Sequence, residues 1–382
     1  MATPMPSNSP LAVKLWGIKG SLEVTKQSFM GRAIQTGSIV RASELDKARR
    51  GDEVTLDFTG RLTAIGVTEG GTMQGNEEFL DNQSFTMRYG IMRNAVRNPN
   101  DDTIEQQRTY INFEERTRKQ LEGWTASRVD ASFFNQVAGV DSDTITVDGT
   151  IYSGANKTIV QGLNTVTAPT SNRIIRAGGQ ANDESLTSSD TFTLDLIDAA
   201  IEKLSSSYPT VEPLDNEEFD LVVSYEQMTD LKRDTSGKIQ WYLNNLAMVE
   251  GGKTSDNMIN DINYYSAKPI GKYANVNIFA RFRVATGVNS STNAAIPNVR
   301  RAVLLGRDAV GFASAFSGMI TDLTGETNEK VVPFKFYTDL TQDYQYTKGI
   351  EARMIYGIKK KVFGGEDFGS LVISTYAAAH TS

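Results

Sequence analysis

Residues 52–59 read DEVTLDFT and residues 85–91 read FTMRYGI. In both stretches apolar side chains alternate with polar ones, and β-branched and aromatic residues are common, which is typical of a half-buried strand. The chain between the two stretches is rich in glycine, with Gly66, Gly70, Gly71 and Gly75. The pattern predicts two strands of one hairpin that are joined by a flexible tip.

The predicted hairpin is long for the chain that carries it. Each leg has roughly 15 residues and would extend about 50 Å at ~3.3 Å per residue. A compact chain of 382 residues has a radius of gyration of only about 21 Å, and an isolated two-stranded hairpin is barely stable in water. We therefore expect the hairpin to rest on a neighbouring subunit. The alternative is a pair of ordinary sheet strands joined by a compact surface loop.

Residues 1–50 do not have the pattern of a compact domain. Their apolar residues come in short groups, such as those within 11–16 and at Phe29 and Met30, and glycines separate the groups. Because such a segment buries little surface against itself, we expect an N-terminal arm that packs on something else.

The strongest helix signal covers residues 103–138. Asp102 can cap the first turn, Glu105 stands at the capping-box position, and Gly139 ends the segment. The apolar residues form a broken stripe, and at ~1.5 Å per residue the helix would approach about 50 Å in length. We expect a spine helix with one side on a sheet and the other side facing solvent or a partner.

The rest of the chain mixes strand and helix patterns. Further helices are predicted at 194–204, 224–231 and about 239–249. Strands are predicted at 219–223, 276–279, 303–305, 334–337, 344–346, 351–363 and 371–376. Strands from both ends of the chain flank a central mixed region, which indicates an α+β fold in which one domain is inserted in another.

The composition excludes several classes of function. Because the chain has no cysteine, disulfides, thiolate metal sites and cysteine nucleophiles are excluded. The single histidine, His380, stands near the C-terminal end, so a Ser-His-Asp triad would need a tethered tail. The formal net charge of −7 is not that of a protein that grips nucleic acid. No apolar run suits a signal peptide or a membrane span.

Three polar clusters are candidates for chemistry, and each has a simpler interpretation. Residues 247–254 end like a phosphate-binding loop, but Ala247 replaces the first glycine and a predicted helix precedes them, which favours a polar surface loop. The acidic residues of 141–148 lack the spacing and the bidentate glutamate of a calcium loop, which favours a turn. The basic run at Lys359, Lys360 and Lys361 either protects a strand edge or contacts DNA phosphates.

Taken in order, these segments resemble a major capsid protein family of short-tailed bacteriophages and their relatives. The resemblance covers nearly the whole chain, and its most specific part is residues 213–282. The matching motifs include Gly75-Asn76-Glu77-Glu78, Arg93-Asn94-Ala95-Val96-Arg97, Leu121-x-x-Trp124, Leu221-Val222-Val223-Ser224, Asp230-Leu231-Lys232-Arg233-Asp234, Ile270-Gly271-Lys272-Tyr273 and Val303-Leu304-Leu305-Gly306.

The resemblance implies the α+β shell fold of tailed phages and herpesviruses. Its parts would be an N-terminal arm at 1–50, an extended loop at 51–97, a peripheral domain at 98–214 and 335–382 that contains the spine helix, and an axial domain at 215–334.

The resemblance also implies a function. The chain would be the major capsid protein of a tailed double-stranded-DNA phage and not an enzyme, assembling as hexamers and pentamers into an icosahedral shell around the genome. Expected partners are further copies of the chain, a portal protein, a separate scaffolding protein, a decoration or cement protein, and packaged DNA bound without sequence specificity. No cofactor, metal or membrane is expected. The expected location is the virion capsid, assembled in the cytoplasm of the host cell.

We expect the arm and the loop to clasp neighbouring subunits through apolar contacts. The predicted contact residues are Leu15, Trp16 and Phe29 in the arm and Phe58, Phe85 and Tyr89 in the loop. Lys359, Lys360 and Lys361 are the candidates for facing DNA. Some capsids of this fold crosslink through a lysine of the extended loop. Because no lysine occurs between Lys47 and Lys119, the clasp is expected to be non-covalent.

Other interpretations of the sequence lead to different functions. A shell protein of a cellular nanocompartment is the alternative within the same class. An α/β hydrolase, a nucleotide-binding enzyme, and a phage tail or adhesin component are the alternatives from other classes.

Overall fold

The computed structural model of the chain describes several ranges of residues. They are 28–42, 53–59, 62, 64–79, 82–99, 104, 113–207, 209–214, 217–234, 269–314, 320–321, 327–328, 334–339 and 347–380. The first 27 residues of the predicted arm, the predicted helix at about 239–249 and the predicted strand at 344–346 lie outside these ranges.

Four α-helices have both ends within the described ranges, besides short 3-10 turns. They are α1 (Met30–Gln35), α2 (Phe113–Ala138), α3 (Leu194–Ser206) and α4 (Tyr225–Arg233). The helices α3 and α4 lie where the apolar spacing predicts them. Ser224 caps α4 through a capping box, since its hydroxyl accepts from the backbone N–H of Gln227 and the Gln227 side chain accepts from the backbone N–H of Ser224. The long helix α2 ends at the predicted residue, before Gly139 with its positive φ of 63°.

The strands are short, with three exceptions of ten residues or more. In chain order they are β1 (Ile39–Ala42), β2 (Glu53–Thr59), β3 (Asn82–Arg88), β4 (Gly90–Pro99), β5 (Thr144–Val147), β6 (Thr150–Ser153), β7 (Ile174–Arg176), β8 (Phe219–Val223), β9 (Gly271–Tyr273), β10 (Val276–Ala280), β11 (Thr286–Val288), β12 (Ala295–Leu305), β13 (Val310–Ser314), β14 (Ile320–Thr321), β15 (Thr327–Asn328), β16 (Phe334–Asp339), β17 (Thr347–Lys360), β18 (Val362–Phe363), β19 (Glu366–Asp367) and β20 (Ser370–Tyr376).

Two sheets hold most of these strands. In the five-stranded sheet the long strand β17 pairs antiparallel with β4, β13 and β16, and β1 adds in parallel to β13. The seven-stranded sheet has the order β7-β20-β12-β8-β10-β9, with β11 pairing β12. Four two-stranded pairs complete the described strands: β2–β3, β5–β6, β14–β15 and β18–β19.

The helix α2 lies between the two sheets, and one hydrophobic core joins all three. Phe133, Phe134 and Val137 of α2 pack in this core with Met354 of β17 and Val222 of β8. The helices α3 and α4 contribute to a second core on the seven-stranded sheet. The α+β class predicted from the sequence is therefore the class observed.

The second half of α2 is buried on all sides, although the apolar stripe predicted a helix with one outward face. Every residue from Thr125 to Ala138 is buried. The chain between residues 144 and 166 covers the polar side. There Arg128 binds Asp148 at 2.7 Å, Ser132 donates to the carbonyl of Ile159, and the Asn135 amide donates to the carbonyl of Val160. The apolar stripe of α2 does not reveal this cover, because the cover comes from the segment after the helix, whose Ile145 and Val147 cluster with Ala131.

Residues 28–42 belong to the core of their own subunit rather than to a detached arm. The Phe29 side chain is fully buried, with ring centroids 5.6–6.1 Å from those of Phe133, Phe134 and Phe279. The strand β1 pairs with β13 over four residues. The short apolar group at Phe29 and Met30 thus finds its partners within the chain.

Strand pairing crosses the predicted domain boundaries. The strand β20, expected in the peripheral domain, pairs with β12 of the axial segment over seven residues, and β7 pairs with β20. Conversely, β13 of the axial segment pairs with β17. Apolar alternation predicts that a segment is a strand, but it does not specify the partner strand.

Asp130 of α2 is a buried carboxyl group whose ionisation destabilises the fold. Its Oδ1 accepts from the backbone N–H of Phe29 at 2.7 Å, and its Oδ2 lies 4.0 Å from Nη1 of Arg283. Burial raises the pKa of Asp130 from 3.8 to about 6 against the lowering effect of these neighbours. Because the folded pKa exceeds the unfolded one, the stability that the protonated group contributes is complete below pH 3.8 and is lost as the pH rises through about 6.

We predict that Asp130→Asn removes this pH dependence. At pH 7.5 the variant should exceed the wild type in free energy of unfolding by more than it does at pH 4. The change in the difference should be on the order of 3 kcal/mol, from about 1.4 kcal/mol per pKa unit. Urea unfolding of unassembled subunits across this pH range measures it. If the gap in free energy of unfolding between the variant and the wild type stays constant or shrinks as the pH rises, the raised pKa of Asp130 is contradicted.

Candidate assembly surface

The strands β2 and β3 form the hairpin that the sequence predicts. They pair antiparallel from Glu53 opposite Arg88 to Thr59 opposite Asn82. At the base of the hairpin, Val54, Phe85 and Met87 form a small buried cluster with Ala313 of β13. The hairpin is therefore seated on the five-stranded sheet of its own subunit.

The junction of β3 and β4 is held by hydrogen bonds to its backbone. The Asn164 side chain accepts from the backbone N–H of Arg88 and donates to the carbonyl of Arg88, both at 2.8 Å. Lys359 Nζ donates to the carbonyl of Thr86 at 2.7 Å and lies 5.2 Å from the ring centroid of Phe85. Gly357 lies against the same turn, and a Cβ there would come within 2.1 Å of the carbonyl oxygen of Arg88. These contacts fix the direction in which the hairpin leaves the subunit.

The base of the hairpin is buried, whereas its far end is exposed. We call residues 62 and 64–79 the hairpin tip; all of them are exposed except the half-buried Val67. Glu78 accepts from the backbone N–H of Ala64 at 2.8 Å and Glu77 accepts from that of Gly75 at 2.7 Å, so the tip is closed by its own side chains.

Four large apolar side chains of the hairpin tip face solvent. The exposed fractions are 66% for Leu62, 104% for Ile65, 57% for Met73 and 95% for Phe79. Burying such a side chain stabilises a complex by about 1.5–3 kcal/mol. Exposed apolar surface marks an interaction site when it is concentrated rather than scattered, and these four side chains stand within one segment of 18 residues.

The residues predicted to contact neighbours fall in three different settings. Phe29 is buried in the main core and Phe85 in the small cluster under the hairpin, where the half-buried Tyr89 packs beside it. Phe58 lies in β2, but its side chain is outside the described part of the structure, as are Leu15 and Trp16. The exposed apolar residues of the tip were missed because they stand in an irregular glycine-rich segment without a strand or helix period.

The three predicted DNA-facing lysines do not form one basic surface in the described subunit. Lys359 donates to the carbonyl of Thr86 in the hairpin. Lys360 forms a fully buried ion pair with Asp367 at 2.9 Å, and Lys361 lies 3.7 Å from Asp308. Burial lowers the pKa of Lys360 and raises that of Asp367. The run lies at the end of β17, where alternate side chains point to opposite faces of the sheet.

The other candidate groups are held in structural contacts. His380 is tethered, since its Nε2 lies 2.8 Å from Asp230 and its Nδ1 lies 2.9 Å from Arg233. The second nitrogen thus faces a cation rather than a hydroxyl nucleophile. Asp141 binds Lys157 at 2.8 Å, and residues 247–254 lie outside the described ranges. In the described ranges no group of three or more His, Asp or Glu side chains could hold a metal ion. None of the described helices has the length and apolar character needed to cross a membrane.

Comparison with known proteins identifies the family. The profile of a family described as phage capsid protein matches residues 4–379. The chain belongs to the phage capsid protein family. The match confirms the resemblance recognised in the sequence and places the chain in the capsid of the virion.

Solved structures support the same fold. The capsid of Ralstonia phage GP4 is similar over 100% of both chains, with 20% identity and a TM-score of 0.71. A capsid chain of cyanophage Pam1 is similar over 90% of this chain and 89% of that chain, with 19% identity and a TM-score of 0.56. The capsid fold predicted from the sequence is thereby confirmed.

A curated relative supports the prediction of a major capsid protein. The major capsid protein of Pseudomonas phage KPP25 is 24% identical over 168 residues, which are 43% of this chain and 44% of that protein. The chain thus matches a little under half the length of this relative, whereas the family profile spans nearly all of the chain.

We predict that Gly357→Ala displaces the base of the hairpin, because the added Cβ would collide with the carbonyl of Arg88. Hydrogen exchange of residues 82–99 should accelerate at least tenfold in the variant. Gly70→Ala is the matched control, since a Cβ there meets nothing within 4 Å. Unchanged exchange at residues 82–99 in Gly357→Ala would contradict the role of this contact.

Proposed function

We propose that the chain assembles as hexamers and pentamers into an icosahedral shell that encloses the double-stranded DNA of a tailed phage. The observation that carries this proposal is the hairpin, whose base is fixed on its own subunit while its tip exposes Leu62, Ile65, Met73 and Phe79. A side chain such as Ile65, which touches almost nothing in the isolated subunit, gains burial only when another molecule covers it. Repeated around a closed lattice, one such contact per subunit adds to the obligate interfaces of the shell.

The clasp is non-covalent in this proposal. The hairpin from β2 to β3 contains no lysine, and none occurs between Lys47 and Lys119. An isopeptide bond in which the hairpin supplies the amine would need such a lysine. The stability of the shell then rests on apolar burial and on charge pairs between subunits.

The remaining partners follow from this role. A portal protein, a separate scaffolding protein and a decoration or cement protein are proposed from the resemblance to the family. Contact with packaged DNA would be weak and unspecific, given the net charge of −7. We expect no enzymatic activity. The shell of a cellular nanocompartment is the second candidate, and a shell that encloses a cargo protein instead of DNA would favour it.

We predict that Ile65→Ser combined with Phe79→Ser leaves the subunit folded but lowers the yield of shells at least tenfold. Both side chains are exposed in the subunit, so its far-UV circular dichroism and its thermal unfolding should not change, whereas the apolar contact between subunits is lost. Shell yield is measured by sedimentation and electron microscopy. The control is Thr68→Ser combined with Thr72→Ser, in the same tip. Wild-type yield from the Ile65 and Phe79 variant would refute the proposed clasp.

We also predict that mature shells of the wild type dissociate into single chains in hot SDS. The reason is the absence of a lysine in the hairpin. A denaturing gel of purified shells checks this directly. A ladder of covalent dimers and higher oligomers would contradict it.

A further inference from the structure

Arg283 stands between two carboxyl groups and is bound closely to neither of them. Its Nη1 lies 4.0 Å from Oδ2 of Asp130, and its Nη2 lies 3.4 Å from Oδ1 of Asp148. A guanidinium that is hydrogen-bonded to a carboxylate normally approaches it to about 2.7–2.9 Å, so a shift of about 1 Å to either side would complete one ion pair. The Nε of Arg283 is buried and has no hydrogen-bond partner in the described part of the chain.

Asp130 connects this arrangement to the start of the described chain. Its carboxyl group accepts from the backbone N–H of Phe29 at 2.7 Å and also from that of Met30. Arg281 is the second cation near Asp130, and its guanidinium lies 5.6 Å from the ring centroid of Phe29. The carboxyl group of Asp130 thus joins the first turn of α1 to the loop that follows β10.

Asp148, on the other side of Arg283, lies in the turn between β5 and β6. Arg128 of α2 binds it at 2.7 Å, and the hydroxyl of Ser127 also donates to it. Against the effect of burial, Ser127 and the two arginines hold the pKa of Asp148 below its ordinary value of 3.8. Asp148 is therefore ionised above about pH 5, and it keeps Arg128 as a partner if Arg283 moves away.

The two carboxyl groups respond differently to pH. Burial raises the pKa of Asp130 to about 6, so Asp130 is neutral in mild acid and ionised at neutral pH. The other charged groups around it, which are Arg281, Arg283 and Asp148, keep their charges over this range. A buried carboxylate attracts Arg283 much more strongly than a neutral carboxyl group does, because the surroundings screen the charges weakly.

We propose that Arg283 is the moving part of a proton-operated switch, which binds Asp148 when Asp130 is protonated and binds Asp130 when Asp130 is ionised. In the ionised state the ion pair with Arg283 offsets part of the cost of burying the Asp130 charge. The switch is a property of the single subunit and does not rest on the proposed function.

The switch reaches the surface through Phe282, which lies between Arg281 and Arg283 in the chain. Phe282 is 82% exposed, and its ring centroid lies 4.4 Å from that of Tyr225. A movement of Arg283 displaces the backbone that carries Phe282. The protonation of a buried carboxyl group thereby sets how an exposed aromatic pair is presented to a partner.

Double-mutant cycles on unassembled subunits measure which carboxyl group Arg283 binds. The coupling between Asp130→Asn and Arg283→Gln, taken as a ratio of unfolding equilibrium constants, should be at least tenfold at pH 7.5 and at most twofold at pH 5. The coupling between Asp148→Asn and Arg283→Gln should change in the opposite sense, with the larger value at pH 5.

The ion pair of Asp141 and Lys157 is the matched control. The two groups lie 2.8 Å apart, and the hydrogen bond from Lys157 holds the pKa of Asp141 below 3.8. The coupling between Asp141→Asn and Lys157→Gln should therefore be the same at pH 5 and pH 7.5.

The Nε–H signal of Arg283 gives a second measurement, on folded wild-type subunits labelled with ¹⁵N-arginine. It should shift between pH 5 and pH 7.5 with the same midpoint as the carboxyl carbon of Asp130, at about pH 6. In Asp130→Asn it should keep its acid position throughout, because the group that titrates is absent. Arg283→Lys assigns the signal.

Three results would overturn the switch. They are equal coupling of Arg283 to Asp130 at both pH values, undiminished coupling to Asp148 at pH 7.5, and an Arg283 signal that stays in place while Asp130 titrates. None of these results involves the formation of shells, so the proposed function would stand. Conversely, a chain that forms no shells would overturn the proposed function and leave the switch intact.

Discussion

The second half of α2 is buried on every side, so each of its polar side chains needs a partner inside the protein. Residues 144–166 supply partners on one side, through the bonds of Asp148 to Arg128 and of the Val160 carbonyl to Asn135. At the helix end, Arg301 of β12 donates to the carbonyls of Ala138 and Gly139 at 3.0 and 3.1 Å. A helix end buried without such donors would leave its last carbonyls unpaired. The helix therefore fixes the relative position of both sheets and of the segment that covers it.

The position of the hairpin depends on α2, the five-stranded sheet and residues 144–166. Asn164, which bonds to both the N–H and the carbonyl of Arg88, belongs to the segment that covers α2, and its amide also donates to the carbonyl of Ile358 in β17. The base of the hairpin is thus positioned by the same elements that bury α2. A rigid base lowers the entropic cost of docking, since the tip is presented in a defined direction before it meets a partner. The exposed apolar side chains of the tip then contribute to assembly rather than to the stability of the subunit.

Much of the fold follows from local patterns. The hairpin strands, α3, α4, and the strands near 219–223, 276–279 and 371–376 lie where periodicity and capping residues predict them. The absence of cysteine excluded disulfides, thiolate metal sites and cysteine nucleophiles from the sequence alone. The resemblance to the capsid family was also visible in the order of motifs along the chain, and the family match over residues 4–379 confirms it.

What the sequence by itself determined is the class of the fold, the family and those elements that have a clear apolar period. Only the tertiary structure decided the partner of each element. The sequence predicts Phe29 as a contact residue of the arm, whereas its ring packs on Phe133 and Phe279 of the same chain. The sequence also suggests that Lys360 is a surface charge, whereas it is buried in an ion pair with Asp367. Period and composition report how one segment would bury its own side chains. Strand pairing, ion pairs and burial instead depend on other segments, from seven residues away for Lys360 and Asp367 to 250 for Phe29 and Phe279. The exposure of the hairpin tip is likewise visible only once the described part of the subunit is seen to leave it uncovered.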